Sequence, residues 1–191
     1  MTFYRRSDVT GIARELLGKA LFTRINGNIT AGLIVETEAY SWKERGCHAW
    51  DNRRTTRNAV MFGEGGHAYV YLCYGVHNLF NVVTNREGRA DAVLVRAVEP
   101  IQGTETMQHR TGTKHIKRMT SGPGKLTRAL GIERIHNGEA LDSRRVWLED
   151  VGREVSFREI QAGPRIGIDY AGRDAFLPWR FTLRDSEWVS K

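Results

Sequence analysis

Residues 67–83 read HAYVYLCYGVHNLFNVV. Two β-prone runs flank YGV, and this pattern predicts a hairpin and therefore an antiparallel sheet. In the first run Tyr69 and Tyr71 share one face, and Val70 and Leu72 the other. Tyr74 falls at or beside the tip. An aromatic ring there is hard to bury and unfavourable to expose, so it either folds back over the core or acts as a wedge between the bases of a duplex. Asn81, inside NLFNVV, is a second misfit, because a buried amide needs partners from the protein or from a polar ligand edge.

Upstream, AGLIVETEAY at 31–40 alternates like a strand, with Glu36, Glu38 and Tyr40 on one face and Val35, Thr37 and Ala39 on the other. Two acids on one strand face admit three readings. They are a solvated edge, a divalent-metal site of nuclease type, or a general base beside an aromatic stacking surface. Downstream, Arg96 interrupts AVLVRAV. An arginine in a central strand must be paired, and a carboxylate on a neighbouring strand, with Glu38 the candidate, is the expected partner. A purely structural ion pair fits the same pattern.

Further strand patterns lie at 20–25, 67–73, 77–84, 92–98, 144–149, 153–160 and 180–184. Helical patterns lie at 8–18, with Asp8 as cap and Gly18 as stop, and at 100–110 and 123–130. Strands with few helices predict an α+β fold, a single domain over 1–191. A chain of 191 residues can bury a core without staples. Cys47 and Cys73 match no zinc spacing and are expected as buried free thiols in a reducing compartment. No signal peptide and no membrane-length apolar run is found, so a cytoplasmic protein is expected.

The formal charge of +7 points to a polyanionic partner, nucleic acid ahead of a membrane. Much of it gathers in HRTGTKHIKRMTSGPGKLTR, 109–128, where Arg110, Lys114, Lys117, Arg118, Lys125 and Arg128 stand without one acid. A solvated loop is one reading. Contact with a phosphate backbone is the other, with Lys125 and the N–H groups of SGPGKL able to hold a phosphate. His48, His67, His77, His109, His115 and His136 form no metal-ligand pair on a helix face, and no serine elbow or catalytic-cysteine signature occurs. Together, the carboxylate, tyrosines, amide, wedge and basic surface suit base flipping and hydrolysis of an N-glycosidic bond.

VETEAY at 35–40, TTRNAVMF at 55–62, YVYLCYG at 69–75, LVRAVEP at 94–100 and SGPGKL at 121–126 resemble, in order, the motifs of the alkyladenine (3-methyladenine) DNA glycosylase family of mammalian type. The resemblance runs from about residue 3 to SEWVS near the end. It implies a single mixed domain with a curved, largely antiparallel sheet, flanking helices and a protruding hairpin. It implies a monofunctional, metal-independent enzyme of base excision repair acting on double-stranded DNA that carries alkylated or deaminated purines; no cofactor is expected, and a monomer is the default expectation for an enzyme that scans DNA. Glu38 would be the general base, with Arg96 and the backbone carbonyl of Ile166 holding the water. Tyr40 and Tyr71 would sandwich the flipped base, His48 would touch a third side, and Asn81 would disfavour guanine's amino group. Tyr74 would intercalate, with Lys117, Arg118 and Lys125 on the DNA. Electron-rich rings are expected to hold a cationic base well.

Two departures stand out. The segment from Tyr40 to His48 is one residue shorter than the mammalian pattern, and His77 replaces an aromatic residue at the hairpin. A long N-terminal tail is absent, as expected of a compact bacterial-type member. Two alternatives predict different behaviour. A nuclease using Glu36 and Glu38 would lose activity in EDTA, and a binding module would be indifferent to Glu38.

Overall fold

The computed structural model describes residues 2–190. The hairpin is present: β3 (Ala68–Cys73) pairs with β4 (His77–Thr84) in antiparallel register, Tyr69 opposite Asn81 and Cys73 opposite His77. The other strands are β1 (Ala20–Ile25), β2 (Asn28–Tyr40), β5 (Asp91–Gln102), β6 (Val146–Glu149), β7 (Ile160–Gly163) and β8 (Arg180–Leu183). The sheet runs β3-β4-β5-β2-β1-β6, and β8 joins the late half of β2 and carries β7. Every pair is antiparallel. The helices are α1 (Val9–Glu15), α2 (Thr104–Thr111) and α3 (Pro123–Leu130), giving an α+β domain.

Local chemistry accounts for these boundaries. The Asp8 carboxylate accepts the Gly11 N–H at 2.8 Å and starts α1. Pro123 at the first turn and Gly131 at φ +72° frame α3. Two expectations need correction. The helix placed at 100–110 begins only at Thr104, because β5 continues to Gln102 and Gly103, at φ +72°, makes the break. The strand placed at 153–160 is mostly irregular. Ser156 and Glu159 satisfy one another's backbone in a capping box, which favours a 3-10 turn, and the strand starts at Ile160.

Alternation divides the sheet into two working faces. Val70, Phe80, Val82, Val93, Val95 and Ala39 point into a large core shared with α1 and α3. Thr37 Oγ1 ties β2 to α1 by donating to the Ala13 carbonyl at 2.8 Å. The opposite face carries Tyr69, Tyr71, Asn81, Leu94, Arg96 and Tyr40, all lining one cavity. Register aligns them. Tyr69 is opposite Asn81, Asn81 opposite Leu94, Leu94 opposite Glu38, and Glu38 opposite Arg180, a row across five strands. Pairing of β2 with β5 slips beside Gly32, at Val35 and at Arg96, while Arg96 keeps the cavity face that alternation with Leu94 gives it.

Candidate active site

Glu36 and Glu38 have no solvent-exposed surface, which rules out the solvated-edge reading. Their surroundings give them different tasks. Glu36 accepts from Arg96 Nε at 2.9 Å, Arg180 Nε at 2.7 Å, Ser190 N at 2.7 Å and Ser190 Oγ at 2.8 Å. These bonds, three on Oε1 and one on Oε2, fix the C-terminal segment to the middle of the sheet. With two guanidinium groups on Glu36, the acidic pair is a poor cage for a cation. Arg96, paired in expectation with Glu38, bridges both carboxylates and makes its shorter contact to Glu36.

Glu38 accepts from the Ile166 N–H at 2.7 Å on one oxygen, and from the Tyr40 hydroxyl at 2.7 Å and Arg96 Nη1 at 3.3 Å on the other. One of its four lone-pair positions is left over. Burial pushes its carboxyl above the usual carboxylate range, while Arg96, the Ile166 N–H and the Tyr40 hydroxyl oppose the rise. Expectation assigned Ile166 a role through its carbonyl. In the structure its N–H is what reaches Glu38.

In front of this cluster lies a cavity of about 710 Å³ lined by Tyr40, His48, Tyr71, Asn81, Arg96 and Ile166, with Tyr74 and Lys125 among its further walls. Tyr69 and Tyr71 stack at 5.3 Å, and the His48 ring meets Tyr71 edgewise at 4.6 Å. His48 Nδ1 lies 3.0 Å from the Tyr69 hydroxyl. Burial, with Arg57 adding to it, lowers the His48 pKa to about 4, so the ring is neutral at physiological pH. Asn81 is buried and its Nδ2 donates to the Tyr69 carbonyl at 3.1 Å. The cavity is thus an aromatic slot with a few fixed polar groups and a buried acid behind it, suited to a flat heteroaromatic ligand.

Tyr74 is 91% exposed at the hairpin tip, so it does not fold back over the core. Its φ is +51° and that of Gly75 is +72°, the left-handed pair used by tight hairpin turns. For a bulky residue this conformation costs roughly 1–2 kcal/mol. Strain combined with exposure marks the ring as a functional candidate. His77 does not extend the tip. Its ring packs on Gly124, where an added Cβ would meet it at 2.7 Å, so the hairpin leans against the SGPGKL turn. Cys73, expected to be buried, is only half-buried on the hairpin, whereas Cys47 is buried; both are free thiols.

The basic segment divides. Arg110 points inward, donating to Thr30 Oγ1 and the Ala129 carbonyl at 3.1 Å each, and Arg128 donates to the Arg110 carbonyl at 2.9 Å. Lys125 stands on the cavity wall. Lys117 is exposed and ion-paired with Glu187, and Arg118 is exposed beside it; neither lines the cavity.

Sequence reasoning missed three contributors. Arg57 lies in the TTRNAVMF motif and lines the cavity. Ser190 locks Glu36. Arg165, next to Ile166, donates to both oxygens of the buried Glu44, at 2.6 and 2.8 Å. The guanidinium of Arg165 also sits 4.7 Å from the Tyr40 ring centroid and 5.3 Å from that of Trp179. Its adjacency to Ile166 was the one signal available, and the separation of 121 residues from Glu44 hid the pairing.

Comparison with known proteins gives the family. The family model described as methylpurine-DNA glycosylase matches residues 2–187. A protein of Methanocella arvoryzae is 47% identical over 192 residues, covering 99% of this chain and 94% of its own. One from Carboxydothermus hydrogenoformans is 45% identical over 189 residues, covering 99% and 96%. A third, from Chlamydia felis, is 43% identical over 187 residues, covering 95% and 94%. All three bear the name "Putative 3-methyladenine DNA glycosylase". The chain therefore belongs to the methylpurine-DNA glycosylase family, enzymes of DNA repair that hydrolyse N-glycosyl bonds.

Proposed function

We propose that this glycosylase swings a damaged purine, alkylated or deaminated, out of duplex DNA and hydrolyses its bond to the sugar with water activated by Glu38. One observation carries the reading. A buried carboxylate with three donors and one spare acceptor position lies directly behind an aromatic slot, and a strained, exposed tyrosine stands at the slot's rim.

Tyr74 fills the gap left in the base stack. The flipped base lies between Tyr40 and Tyr71, with His48 on a third side, and Asn81 disfavours guanine's amino group. Water beside Glu38 attacks C1′ as the C1′–N9 bond breaks. Glu38 takes the proton and its charge, held by Arg96 and the Ile166 N–H, stabilises the oxocarbenium-like sugar. The free base and an abasic site are the products, and the enzyme works as a monomer without metal.

The decisive assay is single-turnover release from a duplex bearing one hypoxanthine, in EDTA. Free base with an alkali-labile site supports the reading. Strand cleavage that disappears in EDTA would replace it with the nuclease alternative.

Two further results are expected. Tyr74→Ala should weaken excision from duplex by roughly 10-fold or more, the scale of one unstacked step, with a smaller loss on single strands. Equal losses on both substrates would count against the wedge. Lys125→Met should reduce the log–log salt slope of DNA binding by about 1, and neutralising Lys117 with Arg118 by up to about 2. An unchanged slope in the double variant would place that loop away from the DNA.

A further inference from the structure

Arg57 is an exposed residue whose guanidinium carbon lies 4.8 Å from the Tyr71 ring centroid, inside the cavity wall. The acids nearby are already matched. Glu36 and Glu38 are matched by Arg96 and Arg180, and Glu44 by Arg165. Arg57 makes no ion pair among the described residues, so the slot carries an uncompensated positive charge on one of its two stacking rings. The other ring, Tyr40, has Arg165 on it at 4.7 Å. Electron-rich rings were expected to favour a cationic base, yet both already face a guanidinium, and two cations compete for one π system.

A purine brought onto Tyr71 meets the Arg57 fork, which offers N–H donors and no acceptor. We propose that Arg57 is a specificity-determining residue that favours neutral damaged purines over cationic ones by donating to the acceptor edge of the departing base. This rests on the reading in which the flipped base stacks on Tyr71.

The electron count explains the selectivity. When the C1′–N9 bond breaks, its electron pair stays on the purine. A cationic N-alkylated purine is thereby neutralised and needs no help. A neutral purine such as hypoxanthine departs with negative charge on its ring acceptors, and a charge-assisted hydrogen bond from Arg57 stabilises that charge until solvent protonates the free base. Before departure, the same guanidinium repels a cationic base and not a neutral one.

The test compares wild type, Arg57→Met and Arg57→Lys in single-turnover release from duplexes carrying hypoxanthine or 7-methylguanine, with circular dichroism confirming that each variant is folded. The methionine variant should lose roughly 10- to 100-fold on hypoxanthine, the range for a charged hydrogen bond, and keep or gain rate on 7-methylguanine. The lysine variant, which keeps the charge and loses the planar fork, should fall between wild type and the methionine variant on hypoxanthine. Parallel losses on both lesions, no change on either, or a lysine variant that behaves like methionine would overturn the assignment. Wild-type enzyme that releases neither base would instead overturn the glycosylase mechanism on which it depends.

Discussion

Replacing Glu38 by glutamine should lower single-turnover purine release by roughly 10²–10⁴-fold, the range for a lost general base, and leave the fold in place. Glutamine keeps the shape and one acceptor, which can stay on the Ile166 N–H, the 2.7 Å contact. Its amide can donate to the Tyr40 hydroxyl. Arg96 loses one carboxylate and retains Glu36 at 2.9 Å. A rate within a few-fold of wild type, with the fold unchanged, would assign the chemistry to another group.

The pH dependence gives a second readout. Burial raises the Glu38 pKa, so its active, ionised form disappears as pH falls through a value above the ordinary carboxylate range. His48, held near 4 by burial, stays neutral over that span and does not confuse the profile. Stability runs the opposite way. A carboxyl raised in the folded state contributes stability that is fully present below its unfolded pKa and lost as pH rises through the folded one. Wild type should therefore gain stability relative to Glu38→Gln as the solution is acidified through that window, which thermal melts of both proteins at several pH values would show.

Local pattern made much of the scaffold legible. Alternation in 67–83 gave the hairpin, and Asp8 marked the start of α1, which ends at Glu15, short of the Gly18 stop. Glu38, Tyr40, Tyr71, Asn81 and Arg96 stood out because each breaks an apolar strand; Tyr40, Tyr71, Asn81 and Arg96 line one cavity, and Glu38 is bonded to Tyr40 and Arg96 behind it. What stayed hidden depends on register and long-range closure. The row from Tyr69 to Arg180 needs five strands in fixed alignment, and the bulges at Val35 and Arg96 shift that alignment without leaving a mark on the alternation. Ser190 reaches Glu36 across 154 positions. Arg57 sat within a quoted motif, but only the folded chain brings it onto Tyr71.

Arg165→Met should destabilise the protein by ~3–5 kcal/mol, the usual cost of leaving a buried charge without its partner. Arg165 has 0% and Glu44 4% side-chain exposure, so water cannot replace the lost guanidinium. Glu44 would retain the Gly46 N–H at 2.7 Å, while the carbonyls of Ala39 and Asp174 would each lose a donor. For a chain of this size the loss corresponds to a fall in Tm of roughly 6–20 °C. Adding Glu44→Leu to Arg165→Met should recover part of it, because the orphaned charge goes too; a double variant no more stable than the single would mean that packing between Tyr40 and Trp179, not charge, dominates. The functional consequence follows from position. Arg165 lies against the Tyr40 ring and immediately precedes Ile166, whose N–H donates to Glu38. At a temperature where the double variant remains folded, base release should still be slow, since restored stability does not restore the guanidinium that holds the Tyr40 ring and the Glu38 carboxylate in one frame. Wild-type rates in that variant would show that Tyr40 and Ile166 keep their places unaided.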